Sequence, residues 1–266
     1  MGIPPTCAPS IMAICREFDM ETLNNGETSN QAAEAGAAAN WLENRCGGLS
    51  KFWKATALTA LAGWNDAVGY SALGHLYLSF MSGNSTHFGM SLALPDWPGF
   101  LLAGGIILTF VVGTAVGTAI GDRFPQAMEP RILGIELVIV LGAVIGSYLG
   151  AGPLALIPIA GAMGMQNVLH QFIGGADVGK GFITGSLFGL GQSLARFVMG
   201  RGQGTAAFQN GWSWVSFVAG VSAGATAYHV LGLPLALGTV AVALAALLLC
   251  WRGTGRSGGE RPRPSR

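Results

Sequence analysis

Charge is what this sequence has least of. Only 10% of its 266 residues are Asp, Glu, Lys or Arg, against about 25% in a soluble globular domain. That deficit argues against a globule in water and points to lipid as the solvent. Cysteine is scarce as well: Cys7, Cys15, Cys46 and Cys250 are scattered, with no CxxC pair and no disulfide framework. There is no P-loop, HExxH, GxSxG or kinase-type pattern, and no carboxylate pair at a recognisable spacing. These absences predict no catalytic residue, no metal site and no cofactor, and make an enzyme the weaker reading. The opening residues also lack the n-region and h-region of a signal peptide.

What the chain has instead is apolar residues, 51% of the total, and glycine, 42 of 266 without a collagen period. Abundant small residues let helix backbones approach closely in a bilayer. Six stretches reach the roughly twenty mostly apolar residues that a spanning helix needs: 55–78, 99–120, 131–150, 153–173, 211–231 and 233–251. Two more, 79–94 (SFMSGNSTHFGMSLAL) and 179–199 (GKGFITGSLFGLGQSLARFVM), are interrupted by glycine and polar residues. Lys and Arg accumulate in short cytoplasmic loops. Here they fall before the first stretch (Arg45, Lys51, Lys54), around 121–130 (Arg123, Arg131), at Lys180 and Arg201, and after Trp251. Six spans put every one of these loops inside, with both termini cytoplasmic in a bacterial inner (plasma) membrane. If both interrupted stretches crossed fully, the loop at Asp122-Arg123 would be forced outside. They are therefore expected to be broken or re-entrant helices, tolerated where they are buried in protein or line a wet cavity.

Three regions follow. Residues 1–50 are polar and acidic and read as a disordered cytoplasmic arm; 51–251 form the transmembrane domain; 252–266 are a basic cytoplasmic tail. An Arg-rich tail behind an apolar helix marks topology more simply than it marks nucleic acid, so no nucleic-acid partner is expected.

Sliding the chain against itself by 102 positions brings FMSGNSTHFGMSLA (80–93) onto FITGSLFGLGQSLA (182–195), and Asn65 onto Asn167. The expected fold class is thus an all-α polytopic membrane protein with about six transmembrane helices in two inverted three-helix repeats, each with a broken or re-entrant element. The inversion follows because three spans is an odd number. Inverted repeats with paired interrupted helices recur in secondary transporters, beside the substrate site. GxxxG spacings at Gly113/Gly117/Gly121, Gly142/Gly146/Gly150 and Gly220/Gly224 read as helix contact faces, within one chain or in a homo-oligomer.

Asp66 stands out, because an acid in the middle of a span costs about 2.5–3.5 kcal/mol on the insertion scale. With Asn65 and Asn167 it could bind a proton or Na⁺; alternatively it is a hydrogen-bonded Asp that holds two helices together. Ser82, Asn84, Thr86 and His87 surround a glycine break, where such groups line a path or cap the broken helix ends. Thr184 is their counterpart in the second half. Gln166, Asn167, His170 and Gln171 lie within two turns of the fourth span, and 167, 170 and 171 share one face, which should point inward. Glu136 is explained by snorkelling or a salt bridge to Arg131 or Arg196. These residues fit an ion or solute pathway. The functional expectation is a secondary transporter or permease for a small solute, with protons as the candidate coupling ion and the lipid bilayer as surroundings. The alternative is a non-transporting scaffold or sensor.

The runs GWNDAVGY (63–70), FMSGN (80–84), GMQN (164–167) and ITGS (183–186) resemble the YoaK family of bacterial membrane proteins, over roughly residues 52–251. Where that family tends to have Thr, this chain has Ser82 and Ser186, which preserve the hydroxyl. A basic residue often found after Gln-Asn is replaced by His170. The resemblance implies a six-span inner-membrane protein and carries no biochemical role with it.

Overall fold

The computed structural model describes residues 52–174, 183–201 and 204–254, the side chains of 170–174 and 250–254 excepted. The expected arm at 1–50 and the tail beyond 254 lie outside the described residues. Ala55–Leu248 forms one compact unit. All its regular structure among the described residues is helical.

The first helix, α1, covers 52–72 rather than running on to 78. It stops because Gly74 and His75 take left-handed backbone angles (φ 66° and 73°). Leu73 N–H then closes on the Gly69 carbonyl at 2.8 Å and His75 N–H on that of Tyr70 at 3.0 Å, which satisfies carbonyls that a helix end leaves free. After an irregular link at 73–80 comes the short α2 (Met81–Ala93). Helix α3 (Trp97–Arg123) starts on Asp96, whose carboxylate accepts the Gly99 N–H, with Pro98 in the first turn; both features favour a helix start. A 3₁₀ turn leads into α4 (Met128–Tyr148), and a second one at Gly152–Leu156 into α5 (Ile157–Gly174). Helix α6 is Ile183–Val198. The last helical stretch, Gly204–Thr254, breaks at Gly232 (φ 78°, ψ 172°) into α7 (204–231) and α8 (233–254). Pro234 enforces the break, since it has no N–H to donate and disfavours helical geometry in the residue before it.

Four segments among the described residues are long and apolar enough to cross a membrane: Trp97–Arg123, Pro125–Tyr148, Gly152–Leu169 and Gly204–Leu249. Large apolar residues such as Leu101, Val138 and Val242 are about 70% exposed, a surface that lipid would cover. The fourth segment has 46 residues, or about 70 Å if straight, against about 30 Å of hydrocarbon; the Gly232 break falls within it. Helices α2 and α6, with 13 and 16 residues, rise only about 20–24 Å and are too short to cross alone.

Two helix pairs in the core meet backbone to backbone. A methyl at Gly113 would strike the Gly161 backbone, one at Gly164 would strike the Phe110 carbonyl, and one at Gly117 would reach 3.0 Å from Met165 Cα. In α1 and α7, a methyl at Gly220 would strike the Ala60 backbone, one at Gly63 the Phe217 carbonyl, and one at Gly224 would reach 2.8 Å from Trp64 Cα. In both pairs the contacts advance together along the two chains, so α3 runs parallel to α5 and α1 parallel to α7. Glycine contact faces at 113/117 and 220/224 are therefore as expected. Gly142 makes no such contact within the chain, since a Cβ there meets nothing within 4 Å, and Gly150 serves a turn at φ 87°.

Candidate functional site

Asp66 lies in the penultimate turn of α1, and the link at 73–80 folds back over it. Its Oδ1 accepts the N–H groups of Leu78 at 2.9 Å and Ser79 at 2.6 Å, and its Oδ2 accepts the Ser79 hydroxyl at 2.7 Å. The carboxylate thus ties α1 to the start of α2. Asn84, fully buried, reinforces the same link from α2. Its Oδ1 accepts Tyr77 N–H at 2.9 Å, and its Nδ2 donates to the Tyr77 carbonyl at 2.7 Å. One side-chain amide thereby satisfies both backbone groups of a residue that has no helix to do so.

Beside this link opens a cavity of about 490 Å³. Helix α1 contributes Asp66, Ala67, Tyr70 and Ser71; the link contributes Tyr77 and Phe80. The opposite wall comes from the start of α6, with Ile183, Thr184 and Leu187, and from Phe217, Val221 and Ala225 of α7. The cavity therefore lies between the link that leads into α2 and the start of α6. Its wall is mostly apolar, as small-molecule sites usually are, with a few polar groups to orient a ligand.

Of the residues singled out in the sequence, Asp66 and Thr184 line this cavity, and Asn84 supports its rim. Asn65, fully buried, faces α5, where Nδ2 lies 3.6 Å from Met163 Sδ and Oδ1 has no partner among the described residues. Gln166 donates to the Leu58 carbonyl at 3.4 Å, tying α5 to α1. Asn167 is half-buried on α5; the His170 side chain lies outside the described residues. Ser82 and Thr86 are exposed on α2, with the Thr86 hydroxyl bonded to the Ser82 carbonyl at 3.1 Å. His87 points toward Ser91, 3.3 Å from its hydroxyl, in the cluster that caps α3.

The aromatic wall was not anticipated. Tyr70 and Tyr77 have ring centroids 5.2 Å apart, and Tyr77 meets Phe80 edge-on, also at 5.2 Å. Tyr70 follows Asp66 by one helical turn, which puts both on one face of α1 and was the available signal. Glu136 also departs from expectation. It neither snorkels nor pairs with Arg131, being 0% exposed with neither oxygen hydrogen-bonded among the described residues. The Arg131 guanidinium stacks instead on Phe124, 3.5 Å from the ring centroid.

With the geometry in place, comparison with known proteins bears on the same helices. The family described as "Protein of unknown function (DUF1275)" matches residues 54–250. The chain belongs to the DUF1275 family. Its relatives include the UPF0700 transmembrane protein RA0705 of Rhizobium meliloti (strain 1021), 36% identical over 145 residues that make up 54% of this chain and 61% of that protein. The UPF0700 transmembrane protein YoaK of Bacillus subtilis (strain 168) is 26% identical over 150 residues, 52% of this chain and 64% of that protein. Each match spans less than two thirds of the relative's length. No solved structure matches. The DUF1275 match covers all the elements that build the cavity, and it agrees with the resemblance to the YoaK family and with a membrane location.

Proposed function

We propose that this chain is a secondary transporter or permease for a small solute, with the cavity between the 73–80 link and the start of α6 as its binding site. The observation that carries the reading is that the segment leading into α2 (Tyr77 and Phe80) and the start of α6 both contribute wall to one cavity, with the buried Asp66 in its lining. Irregular backbone at membrane depth is tolerated where it lines such a space, and paired broken helices flank the substrate site of many transporters.

The proposed arrangement is six passes in two inverted units of three, with both termini cytoplasmic in the bacterial inner membrane. The break at Gly232 divides a segment twice too long for one crossing, and α1 supplies the remaining pass. The two parallel pairs support the inverted repeat, since such a repeat relates the α1–α7 contact to the α5–α3 contact. Gly63 against Phe217 and Val221 corresponds to Gly164 against Phe110 and Thr114, and Gly220 against Ala60 to Gly113 against Gly161. In this register α1 and α5 are offset by 101 positions rather than 102, which sets Asp66 opposite Asn167 and Asn65 opposite Gln166. Transport and proton coupling are tested by reconstitution into proteoliposomes with a solute screen across an imposed pH gradient. Uptake that needs the gradient and Asp66 supports the reading. Folded protein that passes no solute overturns it in favour of a scaffold or sensor.

A further inference from the structure

We infer that the cavity binds an amphipathic organic cation, its ammonium group held by Asp66 and the rings of Tyr70, Tyr77 and Phe80. This inference rests on the cavity's being a ligand site, as proposed above, and adds the chemical class. Three rings stand in sequence along one wall, at centroid spacings of 5.2 Å. The negative face of an aromatic ring attracts a cation, most strongly where water is excluded, and adjoining rings form the cages that recognise alkylated ammonium groups. Among the described residues, no Lys, Arg or His lines the cavity, and the one acid that does is Asp66.

The carboxylate is shared with the fold. Its oxygens take the N–H groups of Leu78 and Ser79 and the Ser79 hydroxyl, and the Phe80 N–H also faces it. A cation in the cavity is therefore attracted by its charge rather than by a vacant acceptor position. Three features weigh against other classes. An anion would meet Asp66 with no cation among the described residues of the wall to offset it. A sugar-like solute needs several convergent polar groups, and among the described residues the facing wall from α6 and α7 offers only Thr184 beside aliphatic and aromatic residues. The volume of about 490 Å³ suits an amine that carries an apolar group rather than a bare metal ion.

The test is equilibrium binding to the full chain in lipid nanodiscs, with protein-free nanodiscs as the partition control. The probes are benzyltrimethylammonium, its uncharged carbon analogue neopentylbenzene, and benzoate. The cation is expected to bind saturably and about tenfold more tightly than the neutral analogue. Tyr77→Leu should weaken it about tenfold, while Tyr77→Phe, which keeps the ring, should change it little. Asp66→Asn keeps acceptors for the link, and should weaken the cation without affecting the neutral probe. Equal binding of cation and analogue, a preference for benzoate, or no saturable cation binding by protein that melts as wild type would each overturn the inference. Saturable cation binding without flux in proteoliposomes upholds the cation site and overturns the transporter reading. Flux of a neutral or anionic solute by protein that binds no cation does the reverse.

Discussion

Replacing Glu136 with leucine should make the protein more stable. The side chain is 0% exposed, and neither carboxyl oxygen has a hydrogen-bond partner among the described residues. A buried polar group left unsatisfied costs about 1–3 kcal/mol, and an apolar side chain of similar size removes that cost while adding buried hydrocarbon. The surroundings are suited to it, since Ile132, Leu133 and Val140 beside it on α4 are all buried. On α8, Ala236, Leu237, Val240 and Leu244 repeat the same spacing, with Val240 where α4 has Glu136. A gain of about 2 kcal/mol is expected for Glu136→Leu, or about 4–8 °C for a chain of this size. Loss of the monodisperse peak on size-exclusion chromatography after heating in detergent would measure it. Glu136→Gln keeps the shape but leaves polar atoms unmet, and should gain little. A melting point for Glu136→Leu at or below wild type would refute the reasoning. Stabilisation accompanied by loss of flux would mark Glu136 as an acid retained for activity at a cost in stability.

Asp66→Ala removes three hydrogen bonds to the 73–80 link and should cost about 3 kcal/mol, read as a lower midpoint in the same heating assay, with Asp66→Asn falling between it and wild type. Asn84→Asp keeps the acceptor for Tyr77 N–H but loses the donor to the Tyr77 carbonyl; a loss of about 1–3 kcal/mol is expected, and an unchanged midpoint would remove Asn84 from its bracing role. Gly63→Ala and Gly164→Ala should each destabilise by about 1–3 kcal/mol through overpacking, while Gly142→Ala, which meets nothing within 4 Å, should be neutral or better; clearly unequal losses at Gly63 and Gly164 would count against equivalent halves. Single cysteines placed at Asp96 and Ala151 should react with an impermeant maleimide from outside, and those at Arg123 and Arg201 only after permeabilisation; labelling of Arg201→Cys from outside would overturn the six-pass arrangement.

The long apolar elements were legible because a run of twenty apolar residues is a strong local signal, and so were the two interruptions, marked by glycine and hydroxyl residues. The end of α1 was not legible. Leu73, Leu76 and Leu78 continue the apolar run, and only the left-handed turn at Gly74 and His75 stops the helix. The importance of Asp66 could be read from its burial cost, but its hydrogen-bond partners at Leu78 and Ser79 could not, since backbone donors have no sequence signature. In the proposed repeat, the one-residue difference in register between α1 and α5 was invisible for a related reason. Gly63 and Gly164 correspond by what they touch, whereas Asn65 and Asn167 match only in letter. Tyr77 and Phe80 looked like ordinary apolar residues until the link folded them against Tyr70.

The intermeshed glycines of α1 with α7 and of α3 with α5 have a mechanical consequence. Where one backbone sits in the notch of another, sliding either helix along its partner would drive the next side chain into a peptide group, so each pair can move only as a rigid beam. A rearrangement that alternately opens the cavity to the two sides must then tilt one beam against the other, with the hinge in the segments that join them. Spin labels on α1 and α7 should keep a fixed separation when a solute binds, and labels on α1 and α3 should not.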